Sequence, residues 1–131
     1  MIRNLWYAVL ESRELKNRPL GVTRLGERLV FWRDEAGKPV CFYDRCAHRG
    51  ASLAIGEIVD GRRIQCPFHG LEYDSSGRCV LIPANGRAAP VPPQFMMRRY
   101  PCHEDYGIIW IWWGENSPAD LEPPEFFDDL K

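Results

Sequence analysis

Long hydrophobic runs are missing from the 131 residues. None approaches the roughly 18 apolar residues that a membrane-crossing helix needs, so a soluble protein is expected. The opening Met1-Ile2-Arg3-Asn4-Leu5-Trp6 has one basic residue and a short apolar stretch ended by Glu11, with no small-residue cleavage site. It does not read as a secretory signal, and the expected location is the cytoplasm. An excess of one charge is missing too: 17 Lys and Arg stand against 18 Asp and Glu, a net charge of -1. That is too little for a broad footprint on nucleic acid or an anionic membrane. Helical periodicity is confined to Ser12 to Asn17, with Ser12 as the expected N-cap. Five cysteines, an odd number without an export signal, point to metal binding or burial rather than a disulfide framework. No internal repeat occurs.

What is present is a cadence of short apolar runs separated by glycine turns. Residues 5–10, 20–25, 28–33, 39–43, 57–59, 62–66, 71–74, 78–82, 97–100 and 107–113 read as strands. Turns are expected at Gly26-Glu27, Asp34 to Gly37, Asp60-Gly61, Asp74 to Gly77 and Asp105 to Gly107. The pattern predicts one all-β domain, a sandwich or barrel, with 45% apolar residues enough to fill a core. Pro83, Pro90, Pro92 and Pro93 make 83–93 an irregular connection. Residues 115–131 hold six acids, one base and three prolines, the composition of an acidic C-terminal arm or linker.

Chemistry concentrates in two short segments, Cys46-Ala47-His48 and Cys66-Pro67-Phe68-His69. Each offers a soft thiolate and an imidazole near enough to serve one metal centre. Gly50 and Gly70 follow them and permit close approach of the loops. Two Cys and two His also suit a tetrahedral structural zinc site, although zinc fingers pair Cys with Cys and His with His.

Extended to Cys46-Ala47-His48-Arg49-Gly50 and Cys66-Pro67-Phe68-His69-Gly70-Leu71-Glu72-Tyr73-Asp74, the two segments closely resemble the ligand loops of Rieske proteins. In that family a [2Fe–2S] cluster has one iron on two cysteines and the other on two histidines. The resemblance implies that Cys46 and Cys66 hold one iron, and His48 and His69 the other. It also implies an antiparallel Rieske-type β-sandwich over residues 1–114, with a two-loop cluster-binding subdomain at about 44–75. Tyr73 matches a family tyrosine whose hydroxyl donates to a ligand sulfur, and Arg49, Gly50 and Gly70 would surround the cluster.

The likeness extends over roughly residues 2–115, through Ile2 to Tyr7, Asp44-Arg45-Cys46, Gly77 to Val80, Ile82-Pro83 and Tyr106 to Trp112. It is greatest to the N-terminal part of Rieske non-haem iron oxygenases of the aromatic O-demethylase and phthalate type. In such enzymes that part receives electrons from a reductase or ferredoxin and passes them to a mononuclear iron in a second domain, often within a trimer. That second iron needs two His and a carboxylate. With His48 and His69 assigned, His103 alone remains, so the chain is not expected to be a complete enzyme. A free-standing Rieske ferredoxin and a zinc-binding structural module are the other readings. High-potential respiratory relatives carry a cysteine in each loop and a serine where this chain has Ala51, Phe68 and Leu71, which implies a low potential.

The remaining candidates have plainer explanations. Cys41, Cys79 and Cys102 read as small buried apolar residues rather than extra ligands or a redox pair. His103 reads as a surface residue. Trp110, Trp112 and Trp113 alternate with Ile109 and Ile111 as in a strand covered on both faces. Arg45, Arg49, Arg62 and Arg63 are either a solvated face or a rim for an acidic electron donor.

Overall fold

The computed structural model describes residues 5–45, 52–67, 70–83, 91–92 and 95–114. Three antiparallel sheets form among them. The first has the order β1 (Leu5–Glu11), β11 (Ile108–Trp113), β10 (Cys102–Asp105). The second runs β2 (Leu20–Arg24), β3 (Glu27–Arg33), β4 (Pro39–Tyr43), β9 (Arg99–Tyr100). The third is an ordered meander, β5 (Glu57–Val59), β6 (Arg63–Gln65), β7 (Glu72–Tyr73) and β8 (Cys79–Leu81). No helix among the described residues is long and apolar enough to cross a membrane.

The sequence of β3 explains why the second sheet lies in the middle. Leu29, Val30, Phe31 and Trp32 are all fully buried, a continuous apolar run whose two faces must both be covered. Leu29, Phe31 and Cys41 join Val9, Leu10, Ile109, Ile111 and Trp113 in one core, against the first sheet. Val30, Trp32, Val40 and Phe42 meet Leu53, Ile64, Cys66, Leu71 and Tyr73 in a second core, against the third sheet. The expected all-β sandwich is therefore present, with its middle sheet packed on both sides. The third sheet carries Cys66 and, on β7, Tyr73.

Several local expectations need correction. The hairpin between β2 and β3 turns on Leu25 and Gly26, with φ of 54° and 75°, so Glu27 opens β3 instead of belonging to the turn. The expected helical turn, η1 (Ser12–Glu14), is capped by Glu11 rather than Ser12: Glu11 N–H donates to Glu14 Oε2 at 2.9 Å. Two elements were not read from the sequence at all, β10 and a second 3₁₀ turn, η2 (Leu53–Ile55).

One side chain links the first two sheets. Arg33 of β3 makes a bidentate pair with Glu104 of β10, both contacts 2.8 Å. The same guanidinium donates to the carbonyls of Leu15, Gly37 and Ser12. The pair is partly buried, and each partner favours the charged state of the other: Arg33 raises its affinity for a proton and Glu104 lowers its own, chiefly through this hydrogen bond.

Candidate metal centre

Of the four residues singled out as ligands, Cys66 lies among the described residues, while Cys46, His48 and His69 lie outside them, as do Arg49 and Gly50. Cys66 follows β6 directly and is 3% exposed, packed in the same core as Leu71 and Tyr73. Cys66 N–H donates to the Leu71 carbonyl at 2.7 Å, and Gly70 N–H donates to the Cys66 carbonyl at 3.2 Å. These two bonds tie Cys66 to Gly70 and Leu71 at the end of β6.

Glycine is favoured at position 70. Its φ of +74° lies in the left-handed region, and a Cβ there would stand 3.2 Å from Pro83 Cγ. Gln65 Nε2 reaches the Gly70 carbonyl at 3.5 Å, a long contact. A cleft of about 280 Å³ opens beside Cys66, lined by Ile55, Gly56, Glu57, Gln65, Pro67 and Gly70. Ile55 at its mouth is 72% exposed.

Tyr73 is fully buried in the core that contains Cys66, and its register partner across β6 is Ile64. Its neighbour Glu72 points to the opposite face of the sheet, as adjacent strand residues must. Glu72 is also buried, and Arg63 Nε lies 3.3 Å from its Oε1, an ion pair not aligned as a hydrogen bond. Sequence reading gave Glu72 no role, since a charged residue in a two-residue strand carries no periodic signal.

The segment before the first pair of ligands is fixed by a carboxylate. Asp44, 8% exposed, accepts from Ser52 Oγ and from Leu53 N–H, both at 2.6 Å. Among the arginines, Arg62 pairs with Glu35 at 2.8 Å on the surface, and Arg63 pairs with Asp60 as well as Glu72. Arg45 is exposed. Any positive rim is thus narrower than four arginines.

The expected burial holds for Cys41 and Cys79, whereas Cys102, expected to be buried, and His103, expected at the surface, are both half-buried. Cys41 and Cys79 are buried in separate cores, and Cys102 is half-buried. Burial, and then the neighbouring Cys102 thiol, push the Cys41 thiol well up. His103 is half-buried on the outer face of the first sheet, with its ring edge-on to Trp6 at 6.0 Å and Nε2 3.9 Å from Asp105 Oδ2. Ile109, Ile111 and Trp113 fill the first core, while Trp110 and Trp112 alternate to the other face.

A buried cysteine at the end of a strand, bonded through its backbone to a left-handed glycine and with a cleft at its side, suits a soft metal centre with an open edge. A family model described as a Rieske [2Fe–2S] domain matches residues 5–101, which implies one [2Fe–2S] cluster. The chain is 36% identical over 130 residues to a putative toluene-4-sulfonate monooxygenase system iron-sulfur subunit, TsaM2, of Comamonas testosteroni, covering 99% of this chain and 36% of that protein. It is 42% identical over 122 residues to aminopyrrolnitrin oxygenase PrnD of Pseudomonas fluorescens, covering 90% and 33%. A crystal structure of apo dicamba monooxygenase superposes with a TM-score of 0.82 at 36% identity, over 98% of this chain and 39% of that one. The chain therefore spans between about a fifth and about a third of the length of the curated relatives it matches.

Proposed function

The chain belongs to the Rieske [2Fe–2S] domain family, and from that membership we propose that it is the electron-input domain of a Rieske oxygenase. It would take electrons from a reductase or ferredoxin and pass them to a mononuclear iron held outside these 131 residues. The observation that carries this reading is Cys66, buried at the end of β6, bonded through its backbone to Gly70 and Leu71 and beside an open cleft.

We assign Cys46 and Cys66 to one iron and His48 and His69 to the other. The cluster, when bound, supplies a one-electron acceptor and donor. The protein contributes the surroundings. The apolar core of Leu71, Tyr73 and Ile64 excludes water from the Cys66 side, and the buried Tyr73 is the candidate donor of a hydrogen bond toward the cluster sulfur. Ile55 and Pro67, exposed beside the cleft, provide the neutral surface on which a partner can settle. Residues 1–114 would form this domain and 115–131 the arm that leaves it. The likeness over nearly the whole chain to oxygenase subunits favours this reading over a free-standing ferredoxin.

Supplying a Rieske-oxygenase reductase and NADH to the purified chain tests the proposal. Bleaching of the visible absorption, with no oxygenated product from an aromatic substrate, is the expected outcome. Oxygenation by this chain alone would overturn it, because His103 alone cannot complete a second iron site.

A further inference from the structure

Around the second ligand segment, backbone bonds join Cys66 to Leu71 and Gly70 to Cys66. Just before the first, Asp44 N–H donates to the Arg28 carbonyl, and Arg45 N–H to that of Tyr43. The chain leaves at Arg45 and returns at Ser52, and among the described residues the tie between the departing and returning strands is the Asp44 carboxylate. One oxygen accepts from Ser52 Oγ and the other from Leu53 N–H, each at 2.6 Å. A buried carboxylate that satisfies both oxygens in this way is a strong, directional tie.

The tie continues into η2. Ser52 caps this turn by accepting from Ala54 N–H at 3.2 Å, and Leu53 is fully buried in the second core. At the other end, Gly56 N–H donates to the Leu53 carbonyl at 3.0 Å. A Cβ on Gly56 would stand 2.0 Å from the Gln65 carbonyl oxygen, so the turn meets β6 backbone to backbone. Gln65 immediately precedes Cys66. Asp44, Ser52, η2 and Gly56 thus form a short strut from the base of the first ligand segment to the residue beside the second segment's cysteine.

We propose that Asp44 is a positioning residue: through Ser52 and η2 it fixes the spacing of the two ligand segments, and with it the geometry in which the cluster is held. The inference rests on the cluster assignment proposed above. Among the described residues the Asp44 carboxylate contacts Ser52 and Leu53, so its effect passes through the strut.

The test compares Asp44→Ala and Asp44→Asn with Glu104→Gln, a control that weakens the Arg33 clamp between the other two sheets. Two quantities are read on each holoprotein: the rate of iron release to a chelator, and the line width of the paramagnetic resonance signal after reduction. Asp44→Ala should release iron about tenfold faster, the factor that corresponds to about 1.4 kcal/mol, and broaden the signal. Asp44→Asn should fall between, because its amide oxygen still accepts from Leu53 N–H while its NH₂ can donate to Ser52 Oγ. Glu104→Gln should match the wild type in both. If Asp44→Ala does not accumulate, Ser52→Ala removes one of the two bonds and should give a smaller change in the same direction. Wild-type values in the Asp44 variants, or in Ser52→Ala, would overturn the proposal, as would equal shifts in Glu104→Gln. A wild-type chain without iron and sulfide would remove the cluster reading and the positioning role together, whereas a loaded wild type with unaffected variants removes the positioning role alone.

Discussion

At the scale of single residues, the proposed ligand set rests on cysteine and histidine at a short spacing that has few other uses. The residues proposed to position it carry no such signal. Asp44 and Ser52 are eight positions apart with no periodic relation, and only the folded chain brings their oxygens to 2.6 Å. Tyr73 stands out through its place after the second ligand segment, and it is fully buried in the core that contains Cys66. The same loops lack the cysteine pair and serine of high-potential relatives, having Ala51, Phe68 and Leu71 instead. The midpoint potential should accordingly lie below about +100 mV, toward the lower end of the roughly −150 to +300 mV Rieske range. Tyr73→Phe should lower it further, by roughly 20–60 mV, the equivalent of about 0.5–1.5 kcal/mol for one hydrogen bond read through one electron. Redox titration of both proteins checks the two values; an unchanged potential in the variant would remove the hydrogen bond from the explanation.

At the scale of elements, β3 and β11 were easy to read because uninterrupted apolar and aromatic runs have to be buried on both sides. β10 was hidden by its composition, Cys102-His103-Glu104-Asp105, which resembles a polar loop. Its strand character comes from pairing with β11 across the two-residue turn Tyr106-Gly107, with φ of 54° and 74°. The missed η2 did leave a trace, a Ser52 cap followed by three apolar residues and Gly56. Within β10, Glu104 provides a measurable stake in the fold. Its proton affinity is lower in the folded chain than in the unfolded one, so its contribution to stability is complete above the ordinary glutamate pKa of about 4.3 and is lost as pH falls through the folded value. Glu104→Gln should cost about 1–2 kcal/mol at neutral pH, the value of charge-assisted hydrogen bonds given up by a partly buried pair. The difference from wild type should shrink in acid. Denaturant titrations at pH 7 and pH 3 check both the size and the direction.

For the whole molecule, the three sheets enclose two cores, and Cys66 belongs to the second. The first core, with Tyr100 stacked on Trp113 at 5.5 Å, belongs to the first two sheets. The second core supports Cys66, Tyr73 and η2. Burial pushes the Tyr100 hydroxyl up to about 12, so it stays protonated across the physiological range. The sandwich itself followed from turn spacing and apolar runs; the middle sheet with both faces covered followed only once pairing was known, since strand order depends on contacts between distant segments. The central claim is that this chain carries one [2Fe–2S] cluster on two cysteines and two histidines. Iron and acid-labile sulfide measured on natively purified protein, together with the paramagnetic resonance spectrum after reduction, test it most directly. About two irons and two sulfides per chain with a Rieske-type signal are the expected result; a colourless protein with stoichiometric zinc and no signal would contradict it.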